Sequence, residues 1–447
     1  MGRLFGTDGA RGVANSELTV EIATEIGRAA ALVLSRHTDE KPKVLIGMDT
    51  RISGDMLEGA LTAGLCSVGA DVVIVGVVPT PATAFLIKQL GCTAGAMISA
   101  SHNPCEYNGI KLFDKDGYKL PDALEEEIEA IVLDKACEIP TPTGGELGRV
   151  IRRYDAKEIY IKHILSTVDV DFSGMKIALD CANGSASVTA REIFSSLGAD
   201  ITVLSAEPDG VNINDKCGST HMEQLSDFVK SSDCVAGFAF DGDADRCLCV
   251  DEDGEIVDGD KMIAIAAYDM KQNGKLMKDT AVMTVMSNIG FFKFAKSNGI
   301  EVATTKVGDR YVLEEMRKSG YNIGGEQSGH IIFSDFASTG DGQLSAVQIL
   351  AIMKRTGKSL RELGNIMECY PQVLVNVRTT PEVKMIWEQN DDVNAAIRQV
   401  ENELGDNGRV LVRASGTEPL IRVMLEGKDI DEITASANMI ADVIKKL

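Results

Sequence analysis

The stretch Lys43-Val44-Leu45-Ile46-Gly47-Met48-Asp49 reads as a strand buried on both faces, because Val44 to Met48 run without a polar break. A helical stretch follows it and ends at Ser67-Val68-Gly69-Ala70-Asp71. A second apolar strand, Val72-Val73-Ile74-Val75, comes next. The same order recurs. Met175-Lys176-Ile177-Ala178-Leu179-Asp180 leads into a helix closing at Ser196-Leu197-Gly198-Ala199-Asp200 and then into Ile201-Thr202-Val203-Leu204. It recurs more loosely from Thr280 to Met286, with a helix ending at Ser297-Asn298-Gly299-Ile300 and the strand Glu301-Val302-Ala303-Thr304. Glycine after each helix is a C-cap signal. Continuous apolar strands alternating with helices predict parallel α/β layers.

Each repeat offers a third strand: Ala94 to Ile98, Cys234 to Phe240, and Tyr321 to Ile323. Polar loops follow them: Ser101-His102-Asn103-Pro104, then Asp241-Gly242-Asp243-Ala244-Asp245-Arg246, then Gly324-Gly325-Glu326-Gln327-Ser328-Gly329-His330. Ligands gather at the carboxyl ends of strands in open α/β sheets. Three similar units packed around a common cleft would bring these loops together. Beyond Pro371 the texture changes. Val373 to Val377 reads as a strand, Pro381 to Leu404 as one helix, Arg409 to Arg413 and Leu420 to Leu425 as paired strands, and Ile430 to Leu447 as a helix. The expectation is three similar mixed or parallel α/β domains around a central cleft plus a C-terminal α+β domain, with boundaries at 1–152, 153–253, 254–369 and 370–447.

Composition narrows the class. Against 45 Lys and Arg stand 67 Asp and Glu, a net charge of −22, which disfavours a general nucleic-acid binder. No apolar run is long enough for a membrane span, and the N-terminus has no signal core. The 10 cysteines show no C-x-x-C pair or zinc spacing, so reduced, mostly buried thiols of a cytoplasmic protein are expected. Lone His37, His163 and His221 read as surface or packing residues.

Ser101 ends an apolar strand beside His102 and Asn103, with Lys111 close behind in Asn108-Gly109-Ile110-Lys111. That set suits a nucleophile or a phosphate carrier, or a serine that merely caps a turn. Asp241, Asp243 and Asp245 alternate after a strand and can ligate a hard cation through oxygen. Arg246 stands where a calcium loop needs glycine, which favours magnesium. In Arg413-Ala414-Ser415-Gly416-Thr417-Glu418-Pro419, with Arg422 beyond, backbone amides, hydroxyls and forked charges could hold a phosphate monoester. A true P-loop is lacking, since Ile352 stands where Gly357-Lys358-Ser359 would need its first glycine. Glu326, Gln327 and Ser328 suit sugar hydroxyls, or an amino group facing Glu326. Lys306-Val307-Gly308-Asp309-Arg310 and Asp49-Thr50-Arg51 add charges at other strand ends, where salt-bridge scaffolding is the simplest role.

These four loops, in this order, and the opening Phe5-Gly6-Thr7-Asp8-Gly9-Ala10-Arg11-Gly12, resemble the α-D-phosphohexomutases along the whole chain. Gln327 and the opening most resemble the branch that acts on hexosamine phosphates. The resemblance implies a four-domain, heart-shaped molecule whose fourth domain opens and closes. It implies isomerisation of glucosamine 6-phosphate to glucosamine 1-phosphate for amino-sugar nucleotide and cell-wall precursor synthesis, with glucose or mannose phosphates as the alternative substrates. Ser101 would carry the phosphoryl group, with glucosamine 1,6-bisphosphate as intermediate and activator. Lys111, His102 and Arg11 would assist. Mg2+ would sit on Asp241, Asp243, Asp245 and the Ser101 phosphate. Glu326, Ser328, His330, Asp309 and Arg246 would touch the sugar phosphate, and Arg413, Ser415, Gly416, Thr417 and Arg422 would hold the distant phosphate. The resemblance further implies a homodimer through the first domain and regulatory contact with a diadenylate cyclase. A magnesium phosphatase using Asp241 as nucleophile is a rival that the Asp-x-Asp spacing permits, although Asp245 stands where such enzymes carry threonine or valine. A sensor that binds sugar phosphates without turnover is a second.

Overall fold

The computed structural model describes residues 3–6, 9–36, 41–415 and 419–447. Thr7, Asp8, His37, Gly416, Thr417 and Glu418 lie outside the described residues. The chain divides into two compact units, Met1–Met286 with Ile300–Ile366, and Ser287–Gly299 with Met367–Leu447.

The first unit repeats one sheet pattern three times. In the first sheet the order is Phe5–Gly6, Gly9–Val13, Tyr107–Asp114, Ala94–Ile98, Lys43–Met48, Asp71–Val77, Val150–Arg152. Lys43–Met48 runs parallel to the strands on both sides of it, and Tyr107–Asp114 returns antiparallel beside Ala94–Ile98. The second sheet is ordered Ile256–Val257, Cys247–Asp251, Ala236–Phe240, Lys176–Asp180, Asp200–Leu204. The third is Glu301–Thr305, Thr280–Thr284, Ile323–Gly325, Ile331–Phe333. In each, the third strand of the repeat is followed by an antiparallel partner. The polar loops therefore sit at the tips of three equivalent hairpins. Every residue of Ala94–Ile98 and Ala236–Phe240 is buried, which explains their unbroken small and apolar sequence.

The second unit is a three-stranded antiparallel sheet, with Leu420–Gly427 between Gln372–Arg378 and Gly408–Ala414. Helices Asp391–Leu404 and Ile430–Ile444 supply the rest of its core. Helix Ile289–Ser297 belongs to this unit although strands of the third sheet flank it in the chain. Asn288 exchanges two hydrogen bonds with the Tyr370 backbone, at 2.9 and 3.0 Å, and Glu426 accepts the Ile289 N–H at 3.0 Å.

Several boundaries differ from the sequence reading. The single helix expected over Pro381 to Leu404 is two, Pro381–Ile386 and Asp391–Leu404. Asn390 caps the second by accepting the Val393 N–H, so a polar cap restarts the helix after the buried Trp387. The strand expected from Cys234 begins at Ala236, and the one expected over Tyr321 to Ile323 spans Ile323–Gly325. Gly357-Lys358-Ser359 is helix punctuation: Gly357 closes one helix with φ 68°, and Ser359 opens the next in a capping box with Glu362.

Candidate active site

Ser101 leaves strand Ala94–Ile98 through a left-handed turn, φ 51°, unusual for a residue with a Cβ. Such a conformation costs of order 1–3 kcal/mol and persists where the surroundings over-determine it. Here they do. Buried Arg51 donates to the carbonyls of Ser101, Asn103 and Pro104 at 2.9, 2.8 and 2.5 Å, while its Nε pairs with Asp49 at 2.9 Å. Asn214 donates to the carbonyls of Ser101 and Asn103 as well, at 2.9 and 3.0 Å. Ser99 donates to Asp49 and accepts the Ser101 N–H. With its backbone held, Ser101 donates its Oγ–H to Asp241 at 2.7 Å.

Asp241, Asp243 and Asp245 follow strand Ala236–Phe240 and are all buried, with one oxygen from each within 4.8 Å of the others. Ala244 takes φ 57° to make the curl. Burial, Asp245 and Asp243 push the Asp241 carboxyl well above its ordinary range. Burial also raises Asp245, but Lys111, His330 and Arg246 outweigh it and hold that carboxyl well below. Lys111 reaches the cluster from the antiparallel strand, 2.9 Å from Asp243 and 3.7 Å from Asp245. Thr80 donates to Asp243 at 2.7 Å. Asp243 Oδ1 and Asp245 Oδ1 are buried and have no hydrogen-bond partner among the described residues. Three convergent carboxylates with two orphaned oxygens and one nearby ammonium fit a hard divalent cation.

His102 lies 3.3 Å from Ser101 Oγ and 3.3 Å from an Arg246 nitrogen. Burial, Arg246 and Arg11 push it down to about 4, so it is a neutral imidazole at pH 7. Arg11 comes from strand Gly9–Val13, opposite Gly109.

The loop from Glu326 to His330 is clamped to the acidic loop. Cys247, directly after the acidic loop, donates its N–H to the Gly329 carbonyl at 3.0 Å, and Gly342, at the start of helix Gly342–Thr356, donates to the Ala244 carbonyl at 3.0 Å. Gly329 has φ 90°, and a Cβ there would lie 2.3 Å from the Cys247 carbonyl oxygen. His330 is buried, with Nδ1 3.7 Å from Asp245. Burial pushes His330 down, but Asp245, Asp309 and Glu326 together lift it to about 9, favouring the imidazolium. The Gly340 N–H aimed at Nε2 from 3.1 Å requires a lone pair there and favours the neutral ring. The backbone amide decides the tautomer, and the Nδ1 proton faces Asp245. Glu326 accepts the Gly308 N–H at 3.0 Å, Ser328 is exposed, and Asp309 opens helix Asp309–Ser319. Gln327 turns away from the other loops and donates to Asp258, the cap of helix Gly259–Gln272, at 3.1 Å.

In the second unit Arg413 and Arg422 stand directly opposite each other on neighbouring strands. Burial and Arg422 both lower the Arg413 guanidinium. Like charges in cross-strand register repel, and an anion relieves them. Ser415 is buried beside them, and its N–H donates to the Leu420 carbonyl at 2.9 Å.

Family models for phosphoglucomutase/phosphomannomutase match four times: alpha/beta/alpha domain I over residues 2–137, domain II over 158–254, domain III over 258–370, and the C-terminal domain over 374–443. The chain belongs to the phosphoglucomutase/phosphomannomutase family. Within it, the phosphoglucosamine mutase of Clostridium acetobutylicum is 54% identical over 446 residues, covering 100% of this chain and 99% of that one. The crystal structure of a phosphoglucomutase/phosphomannomutase family protein from Burkholderia thailandensis aligns with a TM-score of 0.83 at 25% identity, covering 100% and 98%. That of Aspergillus fumigatus N-acetylphosphoglucosamine mutase, in complex with GlcNAc-6P and magnesium, aligns at 0.71 with 17% identity, covering 100% and 96%, a likeness of fold.

Sequence reasoning passed over Asn214 and Thr80, and it left Arg51 as generic scaffolding. Nothing local marks Asn214, whose partners are 111 and 113 residues away. Arg51 had one signal, an Asp-x-Arg pair directly after a buried strand.

Proposed function

We infer that this family member interconverts glucosamine 6-phosphate and glucosamine 1-phosphate. The observation that carries the reading is its end-to-end similarity, 54% identity, to a protein named phosphoglucosamine mutase. The Ser101 geometry supports it. In the active form Ser101 carries a phosphoryl group. The C1 hydroxyl oxygen of glucosamine 6-phosphate attacks that phosphorus as the P–Oγ bond breaks, the hydroxyl proton passes to a base and the departing Oγ takes up a proton, giving glucosamine 1,6-bisphosphate and Ser101. The bisphosphate turns over, Ser101 Oγ gives up its proton and attacks the C6 phosphorus, the bond from that phosphorus to the C6 oxygen breaks, and glucosamine 1-phosphate departs with its C6 oxygen protonated. Lys111, His102 and Arg11 are the groups proposed for proton transfer and charge stabilisation. Asp241, Asp243 and Asp245, with the phosphorylated Ser101, would hold Mg2+, which when bound supplies positive charge against phosphoryl oxygens. Glu326, Ser328, His330, Asp309 and Arg246 are proposed for the sugar phosphate, and Arg413, Ser415, Gly416, Thr417 and Arg422 for the other phosphate. Four domains ending near 152, 253 and 369 would supply one loop each.

Among the described residues no helix is long and apolar enough to cross a membrane, and all 10 cysteines are free. Free thiols support a cytoplasmic site of action. The homodimer and the cyclase contact rest on the family resemblance alone, and light scattering of the purified protein tests the first.

The deciding experiment is a comparison of kcat/KM for glucosamine, glucose and mannose 6-phosphates with a bisphosphate primer present. A preference for glucose or mannose phosphate overturns the substrate assignment. Ser101→Ala is expected to lower turnover by a factor of about 10⁴ or more, because it removes the phosphoryl carrier. A hydroxylamine-labile phosphate on Asp241, in place of an acid-stable one on Ser101, would sink the phosphoserine route.

A further inference from the structure

The first unit contains a cleft of about 500 Å³ whose floor includes Lys111 and Asp245. Its walls carry many cations: Lys119, Arg310, Arg317 and Lys318 besides Lys111. Such a lining attracts phosphate and repels an ammonium group. Glucosamine phosphates differ from glucose phosphates at one place, where an ammonium group stands for a hydroxyl. Selecting the amino sugar from this lining therefore calls for a carboxylate that no cation has claimed.

Four carboxylates line the cleft: Asp122, Asp245, Asp309 and Glu314. Asp122 is paired with Arg310. Asp245 belongs to the metal cluster and faces Lys111. Glu314 is exposed, more than a turn along helix Asp309–Ser319. Asp309, at the start of that helix, is the remaining carboxylate, set against His330 of the sugar loop. Its side chain is 38% exposed, and its nearest basic partner is His330 Nε2 at 3.9 Å, beyond hydrogen-bond reach. That nitrogen already accepts the Gly340 N–H. Glu326, the residue the sequence offered for an amino group, is not among the residues lining the cleft. Its carboxylate accepts the N–H of Gly308, the neighbour of Asp309, and so pins the Asp309 backbone to the sugar loop. Gly308, at φ 127°, makes the turn that presents Asp309.

We propose that Asp309 is the specificity-determining residue: its carboxylate binds the 2-ammonium of the substrate, while Glu326 holds the loop that carries it. This rests on the hexosamine phosphate mutase reading.

The test is steady-state kinetics of the full chain, as wild type, Asp309→Asn and Asp309→Glu, on glucosamine 6-phosphate and glucose 6-phosphate with primer. Where glucose 6-phosphate turns over too slowly, its Ki as a competitive inhibitor replaces it. Asp309→Asn should lower kcat/KM for glucosamine 6-phosphate about 10- to 100-fold, chiefly through KM, as expected for losing a charged hydrogen bond. Its effect on glucose 6-phosphate should stay within about threefold, and Asp309→Glu should recover part of the loss. An equal loss on both substrates, or no loss on glucosamine 6-phosphate, overturns the assignment. A wild-type enzyme without activity on glucosamine 6-phosphate overturns the underlying mutase reading instead.

Discussion

The acidic triad of the first unit and the arginine pair of the second are both clusters of like charge, but they are built differently. Asp241, Asp243 and Asp245 are fully enclosed, with Lys111, Thr80 and Ser101 packed against them. Arg413 is only half-buried, on a strand with intermediate exposure throughout. Enclosed charges cannot relax, so their repulsion is stored until a cation or a proton arrives. Exposed charges are screened by water and store little. The triad should therefore tie ligand to stability, and the arginine pair should tie ligand to affinity with little stability at stake.

Three experiments can break this contrast. The largest effect is expected where enclosed charge holds the Ser101 loop. Arg51→Ala leaves Asp49 buried without its cation and takes one donor from each of the Ser101, Asn103 and Pro104 carbonyls, and should destabilise the fold by about 3–5 kcal/mol. Urea denaturation measures it, and a change below about 1 kcal/mol would show that the loop holds itself. Next is the triad. Without Mg2+, Asp241→Asn should be at least as stable as wild type, because one of three mutually repelling carboxylates is gone. At roughly a hundred times Kd, Mg2+ should stabilise wild type by about 2.7 kcal/mol and the variant by less than half of that. Equal gains in both would remove the triad as the site. The smallest stability effect belongs to Arg413→Leu, within about 0.5 kcal/mol, since relief of a cross-strand repulsion offsets lost stem packing. Its KM for the sugar phosphate should nevertheless rise about tenfold or more. A large drop in melting temperature with unchanged KM would contradict the contrast.

The repeat was legible because buried parallel strands must be apolar throughout. Val44 to Met48 and Ala236–Phe240 announce themselves without any tertiary knowledge. The hairpin loops were legible because polar clusters interrupt that pattern at one point in each unit. What could not be read was who holds whom. Gln327 looked like a sugar ligand because it sits between Glu326 and Ser328, yet it faces Asp258, a helix cap 69 residues earlier. Glu326 looked like the amino-group acceptor, but one of its oxygens answers a backbone amide. Such pairings depend on register between sheets, which local periodicity does not encode. The break at Asn390 is different, since an Asn-Asp-Asp cap signal stood in the sequence and was overridden by a long helical period.

Helix Ile289–Ser297 has a consequence for how the chain is made. It belongs with strands and helices that begin only at Gln372, so it emerges from the ribosome well before the surface it packs against exists. The segment 287–299 must wait for its Tyr370 and Glu426 partners until the last strand, Leu420–Gly427, delivers Glu426 to the Ile289 amide. A ribosome paused between those two points would hold the chain with that helix start unpaired, and a gene fragment starting at residue 367 would leave Tyr370 and Glu426 without the Asn288 and Ile289 groups they bond.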